Sequence, residues 1–405
     1  MTQPASLTGI RRKNFDSRNI PAGEALSPPM ITFHPPASQS VTRGTQAPAA
    51  PRRPRRVCWL TRFAIAGLAC ATFATAASAD FYDEVRQVDR LLAQNRDIAG
   101  AGLVVARDGR TEHEQYWGDY NRRTSIPIAS TGKAISAIVI LALVDDGVLD
   151  LDRPAWQYIP DLLPRHTVGG RMTLRQAFSH TGGTPEVQPA LRDPYLTLEE
   201  SVGLITDERW ASRPGSAFAY GGESMQVGGL IVERVTGKSW RQNVEQHVIR
   251  PLGLRDTNFD GLWKRFEGTP PNPRVGGGSQ SSTSDLMRIL EMLSNDGVFR
   301  GRRVLSADSV RLMLSDQTGG VPVTNAPRDL GGFSGYGLGC WLADETFTNR
   351  RGRTRTETSI LMPGAYGTVA WIDPANDTYG VFLIDAKLRQ TRPIVDDIRA
   401  EAPEL

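Results

Sequence analysis

Ser130 and Lys133 stand three residues apart in Ser130-Thr131-Gly132-Lys133, at the head of an apolar run that extends to Val144. On a helix, positions i and i+3 share a face, so this spacing brings a hydroxyl and an ammonium within reach of each other. A helix N-terminus adds partial positive charge and free N–H groups, which favour negative charge developing on the serine and on an oxygen beside it. Lysine is the informative half of the pair. A guanidinium keeps its proton in a protein, whereas a lysine removed from water and set near other positive dipoles can sit neutral and act as a base. From Asp80 onward the chain carries only Lys133, Lys238, Lys264 and Lys387 among many arginines. The chemistry this implies is attack by Ser130 on a carbonyl, with Lys133 taking its proton and an acyl-enzyme as intermediate. By composition alone, with serine at ~7% of residues, four lysines give roughly a one-in-four chance of some Ser-x-x-Lys. The setting gives the motif its weight, because a lysine at the start of an all-apolar helix is costly to bury unless it has a job or a partner.

The elements that must hold this pair follow from periodicity. Ala134, Ile135, Ala137, Ile138, Val139, Ile140, Leu141 and Leu143 fill nearly every face of a helix, which predicts one surrounded by core and stopped by Gly147. Upstream, a helix over Phe81–Gln94 precedes strands over Ala101–Ala106 and Glu114–Trp117, separated by the turn Asp108-Gly109. Residues 151–314 read as mostly helical, with helices over Glu223–Val235 and Ser284–Ser294, the second preceded by Thr283. The tail returns to strands, Gly367–Ile372 and Tyr379–Ile384, around the turn Asp373–Asp377, and ends in a helix over Pro393–Glu401. The expected fold class is α+β, an α/β sandwich: an antiparallel sheet built from both termini, flanked by helices, with a mostly helical subdomain inserted at about 151–314. A cleft between the two parts is the natural site.

Composition narrows the partners. The 405 residues are 40% apolar and 22% charged, enough for a sizeable core, and the formal net charge is +3. That positive sign belongs to the leader, which has ten basic against two acidic residues up to Arg62. From Asp80 on there are 37 basic and 42 acidic residues. A body of that sign, without a basic stripe interleaved with aromatics, excludes a nucleic-acid partner. The leader reads as a disordered basic stretch followed by an apolar run, Phe63–Ala77, and the small-x-small sequence Ala77-Ser78-Ala79. Residues 1–79 are therefore expected to be an export signal cleaved before Asp80, and residues 80–405 an exported, periplasmic or secreted domain. If the leader is not cleaved, it is the one route to a membrane. Cys58 and Cys70 fall in the leader, so the body holds only Cys340, a buried small hydrophobe with no disulfide partner. His113, His166, His180 and His247 lack metal-ligand spacing, and neither a metal nor a cofactor is expected.

Several segments in order resemble the serine β-lactamase and DD-peptidase superfamily, in particular the branch with class C β-lactamases, D-aminopeptidases and related esterases. They are Ile128-Ala129-Ser130-Thr131-Gly132-Lys133, then Leu143 to Asp152, then Met172 to Gly183 with Ser179-His180-Thr181-Gly182-Gly183. Pro214-Gly215, Tyr220, Val235-Thr236-Gly237, Pro251 to Thr257 and Trp371-Ile372-Asp373-Pro374 continue the series, so that the resemblance spans about Asp83 to Ile384. It implies that Tyr220 shares proton transfer with Lys133, a phenolate being favoured by the helix start behind it. The backbone N–H groups of Ser130 and Ala365 would hold the oxyanion. It also marks two departures. The family's Tyr-x-Asn is Tyr220-Gly221-Gly222 here, which removes the amide that grips a substrate, and its Lys-Thr-Gly or His-x-Gly is Met362-Pro363-Gly364, which removes a cation that recognises a carboxylate. His180 is read as packing under the site, since no spacing pairs it with Ser130. The implied activity is that of a carboxylesterase-like or broad acyl hydrolase acting on a small ester or amide. The alternatives are a β-lactamase, a D-alanyl-D-alanine carboxypeptidase or aminopeptidase, and a penicillin-binding or sensor-like protein that acylates without turnover.

Overall fold

A computed structural model describes residues 66–260, 268–327 and 333–405, with side chains from Ala79 onward. The basic leader and the side chains of most of the apolar run lie outside the described residues, and so does the expectation of export read from them. Among the described residues no helix is long and apolar enough to cross a membrane.

Helix α1 (Ala66–Gln94) buries Phe81, Val85, Val88 and Leu91 on one face, the i, i+4, i+7 stripe of an amphipathic helix. Strands β1 (Gly100–Arg107) and β2 (Arg110–Gly118) follow as a hairpin about Asp108-Gly109. A 3₁₀ turn, Ala129–Gly132, then runs into α2 (Lys133–Asp145), buried from Lys133 through Leu143. Ser130 therefore lies on this turn and does not open the α-helix itself. Because side chains at i and i+3 eclipse in 3₁₀ geometry, the tighter turn still sets Ser130 over Lys133.

The inserted helical region includes α3 (Glu223–Thr236) and α4 (Thr283–Ser294), with shorter helices at Leu174–Phe178, Leu198–Thr206, Trp240–Val244 and Ala307–Met313. The cap of α4 is Ser282, whose side chain accepts from the N–H of Asp285. Thr283, expected ahead of the helix, is its first residue. The chain then forms β3 (Gly335–Tyr336), β4 (Trp341–Thr348), β5 (Thr354–Pro363), β6 (Val369–Asp373) and β7 (Thr378–Ile384), and ends in α5 (Leu388–Glu401). Helix α5 starts well before the expected Pro393, because Leu388, Thr391, Val395 and Ile398 dock on the sheet and outweigh a proline inside the helix.

The seven strands lie in the order β2-β1-β7-β6-β5-β4-β3, every pair antiparallel. N-terminal β1 pairs with C-terminal β7, Ala101 opposite Ile384, as a sheet made from both termini requires. Side chains alternate between two cores. Ile360, Met362, Ala370, Ile372, Val381 and Leu383 lie in the core shared with α2 and α4, while Leu361, Val369, Trp371, Phe382 and Ile384 lie in the core shared with α1 and α5. The result is a helix–sheet–helix sandwich with β5 running past the N-terminus of α2.

Candidate active site

The turn that carries Ser130 is built under constraint. Ala129 holds φ at +46°, the left-handed region that an alanine rarely adopts. Ile128 N–H donates to Ser279 O at 3.1 Å, and the end of β5 closes on the same turn. A Cβ on Gly364 would lie 2.3 Å from Ile128 O and 2.9 Å from Thr131 Oγ1, so only glycine lets β5 approach this near. That approach sets Ala365, the next residue, on the same cleft as Ser130.

Lys133 is buried. Its Nζ lies 3.2 Å from Ser130 Oγ and 2.5 Å from Gly276 O, and 4.8 Å from the centre of the Tyr220 ring. Burial lowers its pKa to about 7; the charge of Arg274 pushes the same way and that of Glu223 opposes. Tyr220 follows a two-residue strand, Phe218–Ala219, and is held by Asn325, whose carbonyl accepts from Tyr220 N–H at 2.9 Å and whose side chain donates to Tyr220 O at 3.1 Å. Its hydroxyl neighbours Ser130 and Trp341. Burial nevertheless raises the phenol to about 12, against the lowering by its bonds to Ser130 and Trp341. Burial thus works against the expected phenolate: it favours a protonated phenol beside a lysine that is about half neutral at pH 7.

Of the positions read from the sequence, Ser130, Lys133, Tyr220, Gly222 and Ala365 line one cleft of about 220 Å³. Met362 does not. It is buried against the α2 side of the sheet, opposite Ala370, so its side chain belongs to the core. At Gly222 an added Cβ would come within 2.9 Å of Leu191 Cδ1, so the space beyond the missing asparagine is taken by leucine. His180 sits behind Tyr220, the rings 4.5 Å apart, with Nε2 3.1 Å from Tyr336 Oη; burial holds its pKa well below the ordinary value. Cys340 is buried with its thiol against Met313 O, and burial pushes it up to about 12, which leaves no thiolate.

The sequence reading missed Leu191, Arg274, Gly276 and Tyr366, which complete the cleft wall. One signal was available in Pro273-Arg274-Val275-Gly276-Gly277-Gly278, where three successive glycines mark a close backbone approach. Among the described residues no cluster of His, Cys, Asp or Glu is arranged to hold a metal ion.

With a serine, a near-neutral lysine, a phenol and two main-chain N–H positions on one cleft, the arrangement can carry out acyl transfer. Comparison with known proteins agrees. Protein Rv1367c of Mycobacterium tuberculosis is 28% identical over 358 residues, covering 74% of this chain and 84% of its own length. Esterase EstB of Burkholderia gladioli is 29% identical over 214 residues, 46% of this chain and 54% of that protein. The solved D-amino acid amidase of Ochrobactrum anthropi SV3 superposes with a TM-score of 0.61 at 19% identity, over 80% of this chain and 99% of that one, a likeness of fold. The Beta-lactamase family matches residues 87–402, nearly the whole described chain, and this protein therefore belongs to the β-lactamase family of serine hydrolases.

Proposed function

We propose that the protein is a carboxylesterase-like acyl hydrolase that works through an acyl-enzyme on Ser130. The observation that carries this reading is the 3.2 Å approach of Lys133 Nζ to Ser130 Oγ, by a lysine whose burial brings its pKa to about 7. Neutral Lys133 takes the Ser130 proton as Oγ bonds to the substrate carbonyl carbon. The developing oxyanion sits between the N–H groups of Ser130 and Ala365. As the C–O bond to the leaving group breaks, the Tyr220 phenol protonates the departing oxygen and is itself reprotonated by the Lys133 ammonium. Water then attacks the acyl carbon with Lys133 accepting its proton, and as the bond from that carbon to Ser130 Oγ breaks, Tyr220 protonates Oγ and is reprotonated by the Lys133 ammonium, which restores the resting site.

Esters suit this cleft better than β-lactams or D-alanyl peptides. Leu191 fills the space beyond Gly222, and Met362 is turned into the core, so neither the amide nor the cation that positions a β-lactam is present at its family position. Losing one hydrogen bond and one charge-assisted contact costs roughly 2–4 kcal/mol of transition-state binding, or two to three powers of ten in rate. A volume of about 220 Å³ also favours short acyl groups. The relative named as an esterase supports the same direction. The test is a panel of p-nitrophenyl acetate and butyrate, a cephalosporin and D-amino acid amides with the full chain. Steady ester turnover is the expected result. A stoichiometric burst with a serine-directed phosphonate and no turnover of any substrate would replace the hydrolase by an acylating sensor.

A further inference from the structure

The sequence places no cation where the family holds one for its substrate, yet the cleft contains one on another wall. Arg274 lines the same cleft as Ser130 and belongs to the segment that also supplies Gly276 and Gly277. It is half-buried and held at φ +48°, an uncommon conformation for a residue with a side chain. The backbone around it is fixed from several directions. Asn272 Oδ1 accepts from Arg274 N–H at 3.1 Å, and Gln226 Oε1 accepts from Val275 N–H at 2.7 Å. The N–H groups of Gly277 and Gly278 both donate to Arg274 O, at 2.9 and 2.6 Å. Asn272 is in turn buried, and its side chain donates to Ala190 O and Asp193 O. The backbone of Arg274 is thus held in one place at the cleft wall, so that its side chain starts from a fixed point there.

The charge around the site points the same way. No carboxylate is found among the described residues lining the cleft, whose cations are Lys133 and Arg274. Glu223, the acid that acts on both, is buried outside the lining, and its two oxygens accept from the N–H groups of Val187 and Gly222. Lys133 loses its charge near neutral pH, whereas an arginine does not. The lasting positive charge of the cleft is therefore that of Arg274, on the wall shared with Leu191, Gly222 and Gly276.

We propose that Arg274 is a specificity residue that selects substrates bearing a carboxylate close to the scissile ester, with the guanidinium donating to that carboxylate. This rests on the reading of Ser130 as nucleophile and narrows the substrate class to short anionic esters. The carboxylate can sit on the acyl part or on the leaving group, and paired substrates separate the two. Full-length protein and its Arg274→Met and Arg274→Lys variants are assayed with p-nitrophenyl hemisuccinate against p-nitrophenyl butyrate, and with 3-acetoxybenzoate against phenyl acetate. In wild type, kcat/KM for one charged ester should exceed that of its neutral partner by about tenfold or more, the effect of one charge-assisted hydrogen bond. The charged-to-neutral ratio should collapse in Arg274→Met, survive in part in Arg274→Lys, and shrink as salt is raised. The pair that shows the effect identifies which side carries the carboxylate. Turnover of neutral esters without a charged preference, or a preference that survives Arg274→Met, overturns the assignment of Arg274 and leaves the hydrolase standing. No turnover of any ester together with no phosphonate labelling of Ser130 overturns both.

Discussion

Lys133 Nζ lies nearer to the carbonyl oxygen of Gly276, at 2.5 Å, than to Ser130 Oγ, at 3.2 Å. The base is thus held chiefly by the wall facing the nucleophile, and the lone pair it needs is exposed only when the ammonium loses a proton. Activity should follow that ionisation. A lysine lowered to about 7 is protonated, and unable to accept, below that pH, so kcat/KM should rise with pH on a limb centred near 7. Glu223 raises the Lys133 pKa, so Glu223→Gln should move the limb to lower pH by about a unit or less. Lys133→Arg should lose the limb together with the activity. A flat profile from pH 5 to 9, or a limb that persists in Lys133→Arg, rejects Lys133 as the base.

Ser130→Ala should abolish turnover and labelling by a serine-directed phosphonate. His180→Ala, provided circular dichroism shows it folded, should keep substantial activity, because His180 meets Tyr336 and the back of the Tyr220 ring rather than Ser130. A folded but inactive His180 variant would move the base to the wrong residue in this scheme.

Tyr220 is a protonated phenol, pushed to about 12, so its task is to donate to the leaving oxygen. Tyr220→Phe should therefore matter in proportion to leaving-group basicity. Alkyl esters should slow by about a hundredfold or more, the usual size of a general-acid effect, while p-nitrophenyl esters, whose phenolate leaves unaided, should slow far less. Equal losses on both would show that Tyr220 serves packing instead.

The ester preference is checked by rate ratios. The cephalosporin should be hydrolysed at least about a hundredfold less efficiently in kcat/KM than p-nitrophenyl acetate, in keeping with the two missing contacts. Equal efficiency would mean that Gly222 and Met362 say nothing about substrate.

One stabilising contact lies far from the chemistry. Arg399 on α5 is fully buried, donates to both carboxylate oxygens of Asp373 at 2.6 and 3.1 Å and to Ser359, and forms an ion pair with Glu345 at 2.9 Å, which ties α5 to β6, β5 and β4. Arg399→Met removes the cation that pairs with buried Asp373, while Glu345 keeps Arg392, a loss of about 3–5 kcal/mol by denaturant titration. A change below about 1 kcal/mol would show that this contact does not hold α5 to the sheet.

The fold was legible where one period governed one element. The apolar run Ala134–Leu143, broken only by Ser136, reads as a core helix, and the β-rich runs Gly367–Ile372 and Tyr379–Ile384 around a turn read as strands. Local turn chemistry at Asp108-Gly109 set the first hairpin. Pro393 misled because a proline reads as a helix start, while the docking face of α5 that overrides it is tertiary. The site was legible at Ser130 and Lys133, which are neighbours in sequence, and at Tyr220 through its motif. It was illegible at Arg274 and Leu191, whose positions depend on Gln226, Asn272 and the loop at Ala190, joined only by folding. The protonation of Tyr220 was missed for a related reason: the helix start behind it is a local feature, whereas the enclosure that dominates comes from the whole cleft.

The pairing of β1 with β7 carries a cost in time. Strand β1 is made more than 270 residues before β7, one of its two neighbours, so the centre of the sheet stays open until β7 has emerged. Until then β1 presents an unpaired edge next to its hairpin partner, a surface prone to wrong pairings. Contacts this distant along the chain also make closure slow. The centre of the sheet is therefore complete only once β7 is in place, and a truncation that removes β7 and α5 leaves the nucleophile turn without the sheet it leans on.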